Sequence, residues 1–290
     1  MGGVPRVVAG AAVIDNARLL IRLALREDVG PGDATTLALV PPGTRARARI
    51  IARHPCVICG GWIALEVFRA VDPRIRGRTR LADGARAEAE AVVLELSGPA
   101  RGLLAAERTA LNFLQRLSGI ATLTHRFVEA AGGRAVVLDT RKTAPGWRAL
   151  EKYAVRCGGG VNHRAGLYDR ILIKDNHRAF WQGRERRSLA QAVQVARARR
   201  PDLPIEIEVD SKREFLDALE GRPDWILLDN MTLAQLRQCV RIGAGRTKLE
   251  ASGGITLRTA RAVAATGVDA LSVGALTHSA PAVDLSMEFT

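Results

Sequence analysis

Four cationic side chains that we expect at strand ends could together bind a small anionic molecule. They are Arg141, Lys142, Arg164 and Lys174. A guanidinium can form two parallel hydrogen bonds with one carboxylate, whereas an ammonium is a point charge suited to phosphate. We therefore expect a ligand that carries both kinds of group. A solvated basic surface is the alternative, but it does not explain why these residues would lie at strand ends.

Two acidic residues, Glu208 and Asp229, also lie at the ends of apolar runs. Carboxylates close to anion-binding cations would normally weaken anion binding. Their presence is explained if they hold Mg²⁺, which prefers oxygen ligands, or if they stabilise a developing positive charge. Ordinary charge balance for the nearby cations is the structural alternative, and the residues alone leave both interpretations open.

Glycine-rich segments indicate places where backbone amides could approach a ligand. Ser252-Gly253-Gly254 and Gly274 follow the last two apolar runs, where many barrels bind a phosphate. Cys56 and Cys59 form a C-x-x-C, but no second pair or nearby histidine completes a zinc site. We interpret these two cysteines as core thiols.

The elements that position these residues are predicted by a strand–helix rhythm in the second half of the chain. Short apolar runs are found at residues 135–138, 170–173, 205–209, 225–228, 248–251 and 270–273. Helix start signals lie between them, at Ser211 with Glu214, at Thr232 with Gln235, and at Thr256 with Gly267 closing the helix. This alternation predicts a parallel sheet that closes into a barrel, with a doubly wound open sheet as the competing architecture. In a barrel the polar residues at the strand ends would meet at one rim.

The first part of the chain predicts a smaller α+β domain. Strand-like runs at residues 46–52 and 89–96 flank a helical segment at 61–71, and an apolar stripe predicts a long helix over 101–117. We therefore predict an N-terminal domain over residues 1–117, joined by the tail 279–290, and a catalytic barrel over 118–278.

Composition narrows the class of protein. The 290 residues include 43 Lys and Arg against 30 Asp and Glu, a net charge of +13 that fits nucleic acid, an anionic membrane or a small polyanion. Only 4% of the residues are aromatic, and the basic clusters at 184–187 and 197–200 are interpreted as solvated surface, which disfavours nucleic acid. The early apolar run 7–14 is far shorter than the roughly 20 residues of a membrane span, and no cleavage signal follows it. Four cysteines in such a chain suit a reducing compartment, so we expect a cytoplasmic protein that does not bind membranes.

Nine motifs follow one another in an order that resembles the quinolinate phosphoribosyltransferase family. They occupy residues 27–33, 107–113, 139–143, 151–155, 158–164, 173–177, 206–209, 228–230 and 252–255. The resemblance extends over nearly the whole chain. It implies an incomplete α/β barrel with a smaller N-terminal α+β open-sandwich domain, and a homodimer whose active site includes residues of the neighbouring subunit. It also implies the reaction of quinolinate with phosphoribosyl pyrophosphate, in the presence of Mg²⁺, to give nicotinate mononucleotide, CO₂ and pyrophosphate for NAD synthesis.

The resemblance further implies a role for each matching residue. Arg108 would reach quinolinate from the partner subunit, and Arg141, His163 and Arg164 would bind its carboxylates with help from Lys174. Lys142 would lie between quinolinate and the pyrophosphate, and Glu208 and Asp229 would hold Mg²⁺ and the ribose. The implied substrate-binding residues are Arg108, Thr140, Arg141, His163, Arg164, Lys174, Ser252, Gly253, Gly254, Val273, Gly274 and Ala275. The implied catalytic residues are Lys142, Glu208 and Asp229, of which the two acids are also the metal ligands.

A few positions depart from the family pattern. Trp147 and Ala144 stand where Leu and Thr are more usual, and Cys56 and Cys59 stand where small apolar residues are expected. None of these positions has an implied role in ligand binding. The alternative within the same fold is a nicotinate phosphoribosyltransferase-like enzyme or a molybdenum-associated paralogue. The cationic set of Arg141, His163 and Arg164 favours an acceptor with two carboxylates.

Overall fold

The computed structural model describes residues 8–183 and 187–290, and the chain divides into two compact units. The first unit contains the described residues up to His125, together with Thr143–Gly159 and Ala275–Thr290. The second unit contains Arg126–Lys142 and Gly160–Gly274. The predicted domain ranges stay a prediction, since residue 117 lies inside one continuous helix. Val7 and residues 184–186 of the basic cluster lie outside the described residues.

The helices and strands are numbered here in chain order. The helices are α1 (Ala11–Asp28), α2 (Ala34–Leu39), α3 (Gly61–Val71), α4 (Ala100–Ala131), α5 (Arg148–Cys157), α6 (Asp175–Gln182), α7 (Leu189–Arg199), α8 (Lys212–Glu220), α9 (Leu233–Gly243), α10 (Leu257–Ala264) and α11 (Ala275–His278). The strands are β1 (Arg45–Ala52), β2 (Cys56–Val57), β3 (Arg76–Thr79), β4 (Arg86–Ala87), β5 (Ala91–Pro99), β6 (Val136–Leu138), β7 (Ile171–Ile173), β8 (Ile205–Val209), β9 (Trp225–Asp229), β10 (Lys248–Ser252), β11 (Ala270–Ser272) and β12 (Leu285–Phe289).

An antiparallel sheet in the order β12-β1-β5-β3 forms the centre of the first unit. Side chains along β1 alternate, so that Ala48 and Ile50 are buried while Arg47 and Arg49 are exposed. This period of two is the pattern of a sheet with one face in the core and one face in solvent. The N-terminal part of the chain thus forms the α+β unit that the sequence predicts.

The second unit contains a six-stranded parallel sheet in the order β6-β11-β10-β9-β8-β7. From β7 to β11 each strand pairs with the next one in the chain, and β6 pairs with β11. A doubly wound sheet would instead reverse its strand order near the middle, so that alternative is wrong. No pairing joins β6 to β7 among the described residues, and the barrel is incomplete, as expected.

The predicted strands agree with the observed ones to within three residues, but α4 is longer than predicted. Its apolar stripe continues through Ile120, Ala121 and Phe127, all buried, and the helix ends at Ala131. Gly119 fits inside this helix because the carbonyl of Pro281 would contact any Cβ there. A glycine that would argue against a helix on propensity alone is therefore required by packing.

Helix starts follow the predicted capping residues. Thr232 accepts a hydrogen bond from the Gln235 amide, and the Gln235 side chain accepts one from Thr232 in return. Ser211 caps α8 by accepting from the Glu214 amide, but the Glu214 carboxylate accepts from the Asp210 amide, so the box is not reciprocal. α10 ends at Ala264 rather than at Gly267.

Three of the unusual positions are packed within the first unit. Trp147 stacks on Phe113 with ring centroids 4.9 Å apart, which gives the tryptophan an aromatic partner. Cys56 and Cys59 are buried free thiols, and so are the other two cysteines. In the described part of the chain, no helix combines the length and the hydropathy needed to cross a bilayer.

Candidate active site

The carboxyl ends of the parallel strands in the second unit surround a cavity of about 470 Å³. It is lined by Thr140, Arg141, Lys142, His163, Arg164, Leu172, Lys174, Asp175, Glu208, Leu227, Asp229, Glu250, Ser252 and Ser272. Nine of these are residues that the sequence singles out, contributed by five strand ends and by the loop that follows α5. The strand-end cavity therefore gathers the predicted cations and both predicted carboxylates at one rim.

The loop that carries His163 and Arg164 is anchored to the end of β6 by a buried carboxylate. Asp139 follows β6 directly and is fully buried. Its Oδ2 accepts a hydrogen bond from Asn162 Nδ2 at 2.7 Å, and its Oδ1 accepts one from the His163 amide at 2.8 Å. The Val161 amide also donates to the carbonyl of Val137. These bonds hold the His163–Arg164 segment beside β6 and explain why Asp139 precedes the cationic cluster.

Arg141 and Arg164 present two guanidinium groups to the same cavity. Burial lowers the pKa of Arg164, and the neighbouring charge of Arg141 lowers it further. The Nε of Arg141 is buried and has no hydrogen-bond partner among the described residues. A buried unpaired donor is costly, and two adjacent cations repel each other. Both costs are relieved by a bound anion, and two guanidinium groups match two carboxylates.

The imidazole of His163 contacts two buried glutamates. Its Nε2 lies 3.0 Å from Glu206 Oε2 and 3.4 Å from Glu250 Oε2. Its Nδ1 accepts a hydrogen bond from the Arg164 amide at 2.7 Å, so Nε2 is the nitrogen that donates to the glutamates. Burial lowers the pKa of the imidazole, but the two carboxylates outweigh it and raise the pKa to about 9. The charged ring that this pKa favours at neutral pH needs a proton on Nδ1 as well, which requires the contact with the Arg164 amide to open.

The two glutamates differ in their own titration. Burial raises the pKa of Glu250, and the charge of Glu206 adds to that effect. Burial also tends to raise the pKa of Glu206. Hydrogen bonding to His163 and the charge of Arg170 outweigh this effect, so the pKa of Glu206 is lowered overall. Arg170 Nη1 lies 3.1 Å from Glu206 Oε2. The network thus places one ionised carboxylate against the proton-bearing nitrogen of His163.

Glu208 and Asp229 lie on adjacent strands of the cavity wall. Burial raises the pKa of the Glu208 carboxyl, the charge of Asp229 raises it further, and the charge of Lys174 opposes both. Asp229 Oδ2 accepts a hydrogen bond from Asn230 Nδ2 at 2.7 Å. Two carboxylates that repel each other across neighbouring strands are an arrangement that a cation would stabilise.

The turn after β10 requires glycine at one position. Ser252 pairs with Asp229 in the register of β10 and β9, and Gly253 follows with φ +97°. A Cβ on Gly253 would contact the Asn230 side chain and would lie 2.9 Å from its backbone nitrogen. The Asn230 amide donates to the Ser252 carbonyl at 2.9 Å. The close approach of these two strand ends therefore depends on the absence of a side chain.

Some predicted residues are not among those that line the cavity. Arg108 is exposed on α4 and belongs, like Ala275, to the first unit. Gly253, Gly254, Val273 and Gly274 follow strand ends of the second unit without lining the cavity. The Val273 amide donates to the carbonyl of Leu138, so it is used within the backbone of the sheet.

Sequence reasoning missed several lining residues, notably Asp175, Glu250 and Ser272. Two of them could have been found from strand periodicity. Glu250 lies two positions before Ser252 on β10, and Ser272 lies two positions before Gly274, so each shares a strand face with a predicted residue. Glu206, two positions before Glu208, follows the same rule. The signal is the alternation of side chains along a strand.

Comparison with known proteins identifies the family of this chain. The sequence matches the family descriptions "Quinolinate phosphoribosyl transferase, N-terminal domain" over residues 33–118 and "Quinolinate phosphoribosyl transferase, C-terminal domain" over residues 120–288. It is 47% identical over 283 residues to a nicotinate-nucleotide pyrophosphorylase (carboxylating) of Mycobacterium leprae, covering 94% of this chain and 97% of that protein. It is 40% identical over 266 residues to a probable enzyme of the same name from Bacillus subtilis, covering 91% and 90% of the two chains. The solved structure of the nicotinate-nucleotide pyrophosphorylase from Francisella tularensis superimposes with a TM-score of 0.91 at 37% identity, covering 99% of this chain and 100% of that one.

Proposed function

Since this chain belongs to the quinolinate phosphoribosyltransferase family, we propose that the strand-end cavity is where its two substrates react. The enzyme transfers the phosphoribosyl group of phosphoribosyl pyrophosphate to quinolinate with decarboxylation, and yields nicotinate mononucleotide, CO₂ and pyrophosphate. The observation that carries the assignment of the site is the pair of guanidinium groups on Arg141 and Arg164. In the described part of the chain, the buried Nε of Arg141 has no hydrogen-bond partner.

Quinolinate binds through its two carboxylates to this guanidinium pair. Arg141 and Arg164 each offer a planar fork of donors, and Lys174 adds a third positive charge at the end of β7. His163 lies beside them with its proton directed at Glu206, so it holds the segment that carries Arg164. A substrate with a single carboxylate would leave one guanidinium without an anion. This is the physical basis of a preference for quinolinate over nicotinate.

Phosphoribosyl pyrophosphate occupies the remaining part of the cavity. The turn at Ser252–Gly254 and the chain after β11 at Gly274 offer the 5′-phosphate backbone amides without bulky side chains. Lys142 is an exposed cation at the rim between the quinolinate and pyrophosphate positions, where it is suited to the leaving group. The ribose then faces Glu208 and Asp229.

Chemistry follows from these charges. As pyrophosphate leaves, the ribose develops oxocarbenium character, and the carboxylates of Glu208 and Asp229 stabilise that positive charge. The pyridine nitrogen of quinolinate attacks the ribose, so no nucleophile of the protein is needed. The positive charge of the alkylated ring then stabilises the electron pair left on the adjacent carbon when its carboxylate departs as CO₂, and that carbon takes up a proton from solvent. The contribution of the protein to this last step is to hold the ring in place.

Glu208 and Asp229 also fit a magnesium ion. They are two oxygen donors on adjacent strands at a half-exposed rim, and their mutual repulsion is relieved by a divalent cation. Mg²⁺ is usually held by one or two carboxylates with waters and substrate phosphates as the other ligands. Bound there, it would neutralise charge on the pyrophosphate.

A homodimer with a shared active site completes the proposal. Arg108 is an exposed arginine on α4 in a motif that matches the family. Its guanidinium would reach the quinolinate bound to a second copy of the chain. We place the enzyme in the cytoplasm, in agreement with four buried free thiols.

A direct assay tests the proposed function. The purified chain is mixed with phosphoribosyl pyrophosphate, Mg²⁺ and either quinolinate or nicotinate, and CO₂ and mononucleotide are recorded. We expect turnover with quinolinate and release of one CO₂ for each mononucleotide. Turnover with nicotinate alone would instead indicate the related enzyme that accepts a monocarboxylate.

A further inference from the structure

Four exposed arginines lie on the outer surface of the antiparallel sheet in the first unit. Two belong to β1 and two to β3, and the strands lie on either side of β5. We call them the arginine face: Arg47, Arg49, Arg76 and Arg78. Register places Ser97 of β5 between Arg47 and Arg76, and Glu95 of β5 between Arg49 and Arg78. The arginine face therefore forms two rows, each with one guanidinium on either side of a central residue.

The spacing of these rows follows from sheet geometry. Residues two apart on one strand are separated by about 6.6 Å, and two strands on either side of a third are separated by roughly 10 Å. The two arginines of one strand thus lie within the Debye length of about 8 Å at physiological salt and repel each other, whereas repulsion between the two strands is partly screened. Glu288 of β12 stands in register with Arg49, but its carboxylate is paired with Arg53.

None of the four guanidinium groups has an ion-pair or side-chain hydrogen-bond partner in the described ranges 8–183 and 187–290. Some other arginines of the first unit do have partners. The half-buried Arg53 pairs with Glu90 and Glu288, and the exposed Arg74 pairs with Asp72. The one carboxylate at the centre of the arginine face, that of Glu95, is already paired with Arg80 at 2.6 Å. The arginine face is thus left with excess positive charge.

The surface is also concave. A cavity of about 440 Å³ is lined by all four arginines together with Glu95, Ser97, Thr290 and the backbone between them. That volume lies within the range of small-molecule sites, roughly 300–1,000 Å³. We propose that the arginine face is a binding site for a small oligophosphate anion, meaning a chain of two or three linked phosphates, free or carried by a nucleoside.

The observations favour an oligophosphate over a nucleic-acid strand. Within the described part of the chain no aromatic side chain lines the cavity, so bases would lack a stacking surface. Four guanidinium groups arranged around a single depression match a compact multivalent anion, because each fork can bind two oxygens of one phosphate. The Ser97 hydroxyl lies between two of the arginines and adds a donor. A long phosphate backbone would extend past the depression and over Glu95.

Calorimetric titration with inorganic tripolyphosphate tests this site on the full-length protein. The key variant is Arg47→Ser/Arg76→Ser, which removes one arginine from each side of Ser97. The matched control is Arg199→Ser/Arg237→Ser, which removes the same charge from exposed positions on α7 and α9. Lys142→Ala reports binding of phosphate at the strand-end cavity, so the two sites are measured separately. Circular dichroism confirms that each variant is folded.

We expect one binding event that persists in Lys142→Ala and in the control, and that weakens at least about tenfold in Arg47→Ser/Arg76→Ser. A titration with ATP identifies the source of the phosphates. If ATP and tripolyphosphate bind with equal affinity, the phosphate chain is sufficient for recognition. If ATP binds more tightly and its binding still needs the arginines, the ligand is a nucleotide. Equal tripolyphosphate binding by wild type and Arg47→Ser/Arg76→Ser would overturn the proposal. So would arginine-dependent binding of a thymidine oligonucleotide without binding of tripolyphosphate. A change of oligomeric state without ligand binding would assign the surface to a second copy of the chain, and would also overturn it.

Discussion

Replacing Arg141 by methionine separates the binding role of the guanidinium pair from its structural cost. Arg141 is half-buried, its Nε has no partner among the described residues, and its charge lowers the pKa of Arg164. Methionine retains much of the apolar stem but removes the charge and the planar fork. The substitution therefore removes a repulsion in the free enzyme and an attraction in the complex with quinolinate.

The size of the effect follows from the contacts that are lost. A hydrogen bond to a charged group contributes about 1.5–3 kcal/mol, which corresponds to a factor of about 10 to 150 in binding. We expect kcat/KM for quinolinate to fall by that factor in Arg141→Met, mainly through a higher KM. The KM for phosphoribosyl pyrophosphate changes less, because the phosphates are bound by other residues. The free energy of unfolding is unchanged or slightly higher, because a like-charge contact has been removed.

The assay is steady-state kinetics with each substrate varied, together with urea denaturation of the same preparations. Arg199→Met serves as the control, since it removes an exposed arginine on α7 and should alter neither property. Arg141→Lys distinguishes charge from geometry, because it keeps the charge and loses the fork. An unchanged KM for quinolinate in Arg141→Met would refute the assignment of this pair. A large loss of stability would show that the guanidinium is a structural group instead.

Four other outcomes are expected. Arg108→Ala and Lys142→Ala are each nearly inactive, but a mixture of the two variants refolded at equal concentrations regains about a quarter of wild-type activity. This fraction is expected because half of the dimers contain one copy of each variant, and one of the two active sites in such a dimer is intact. No recovery of activity would contradict a shared site. Gly253→Ala lowers the free energy of unfolding by about 1 kcal/mol or more, since φ is +97° there, and raises the KM for phosphoribosyl pyrophosphate; normal kinetics would mean that this turn does not bind the phosphate. Treatment with EDTA abolishes turnover and added Mg²⁺ restores it, with no change in the thermal midpoint, whereas activity that persists in EDTA would exclude a metal requirement. Trp147→Ala loses the stacking contact with Phe113 and lowers the free energy of unfolding by about 1–2 kcal/mol in urea titrations. Trp147→Phe keeps an aromatic ring and loses less than half of that free energy. Equal losses in the two variants would show that stacking does not contribute to stability.

The strands and most helices of this protein could be predicted because their signals are local. The apolar runs before residues 139, 174, 229 and 252 specify buried parallel strands, and capping residues such as Thr232 specify where helices begin. The long helix α4 was only partly predicted. Its second half contains Gly119, whose fit depends on Pro281, far away in the chain.

The candidate site shows the same division. Functional residues were identified one by one, and the parallel sheet together with the loop after α5 brings nine of them to one cavity. The groups that hold them were not identified. Asp139 fastens the loop of His163, and Glu206 and Glu250 support the imidazole from two strands that are not consecutive in sequence. Strand pairing decides which carboxylate faces which imidazole.

Residue types and spacing by themselves determined that this chain builds a parallel α/β unit with cations and carboxylates at its strand ends. The sequence also contains the ordered motifs that identify its family. Only the tertiary structure decided that Arg141 and Arg164 are close enough to repel each other. It also decided that the Nε of Arg141 is buried with no partner among the residues that the structure describes, and that β1 and β3 place four arginines around one depression. The physical reason is range: periodicity and capping act over a few residues, whereas charge repulsion and desolvation depend on distances between side chains that only the folded chain brings together.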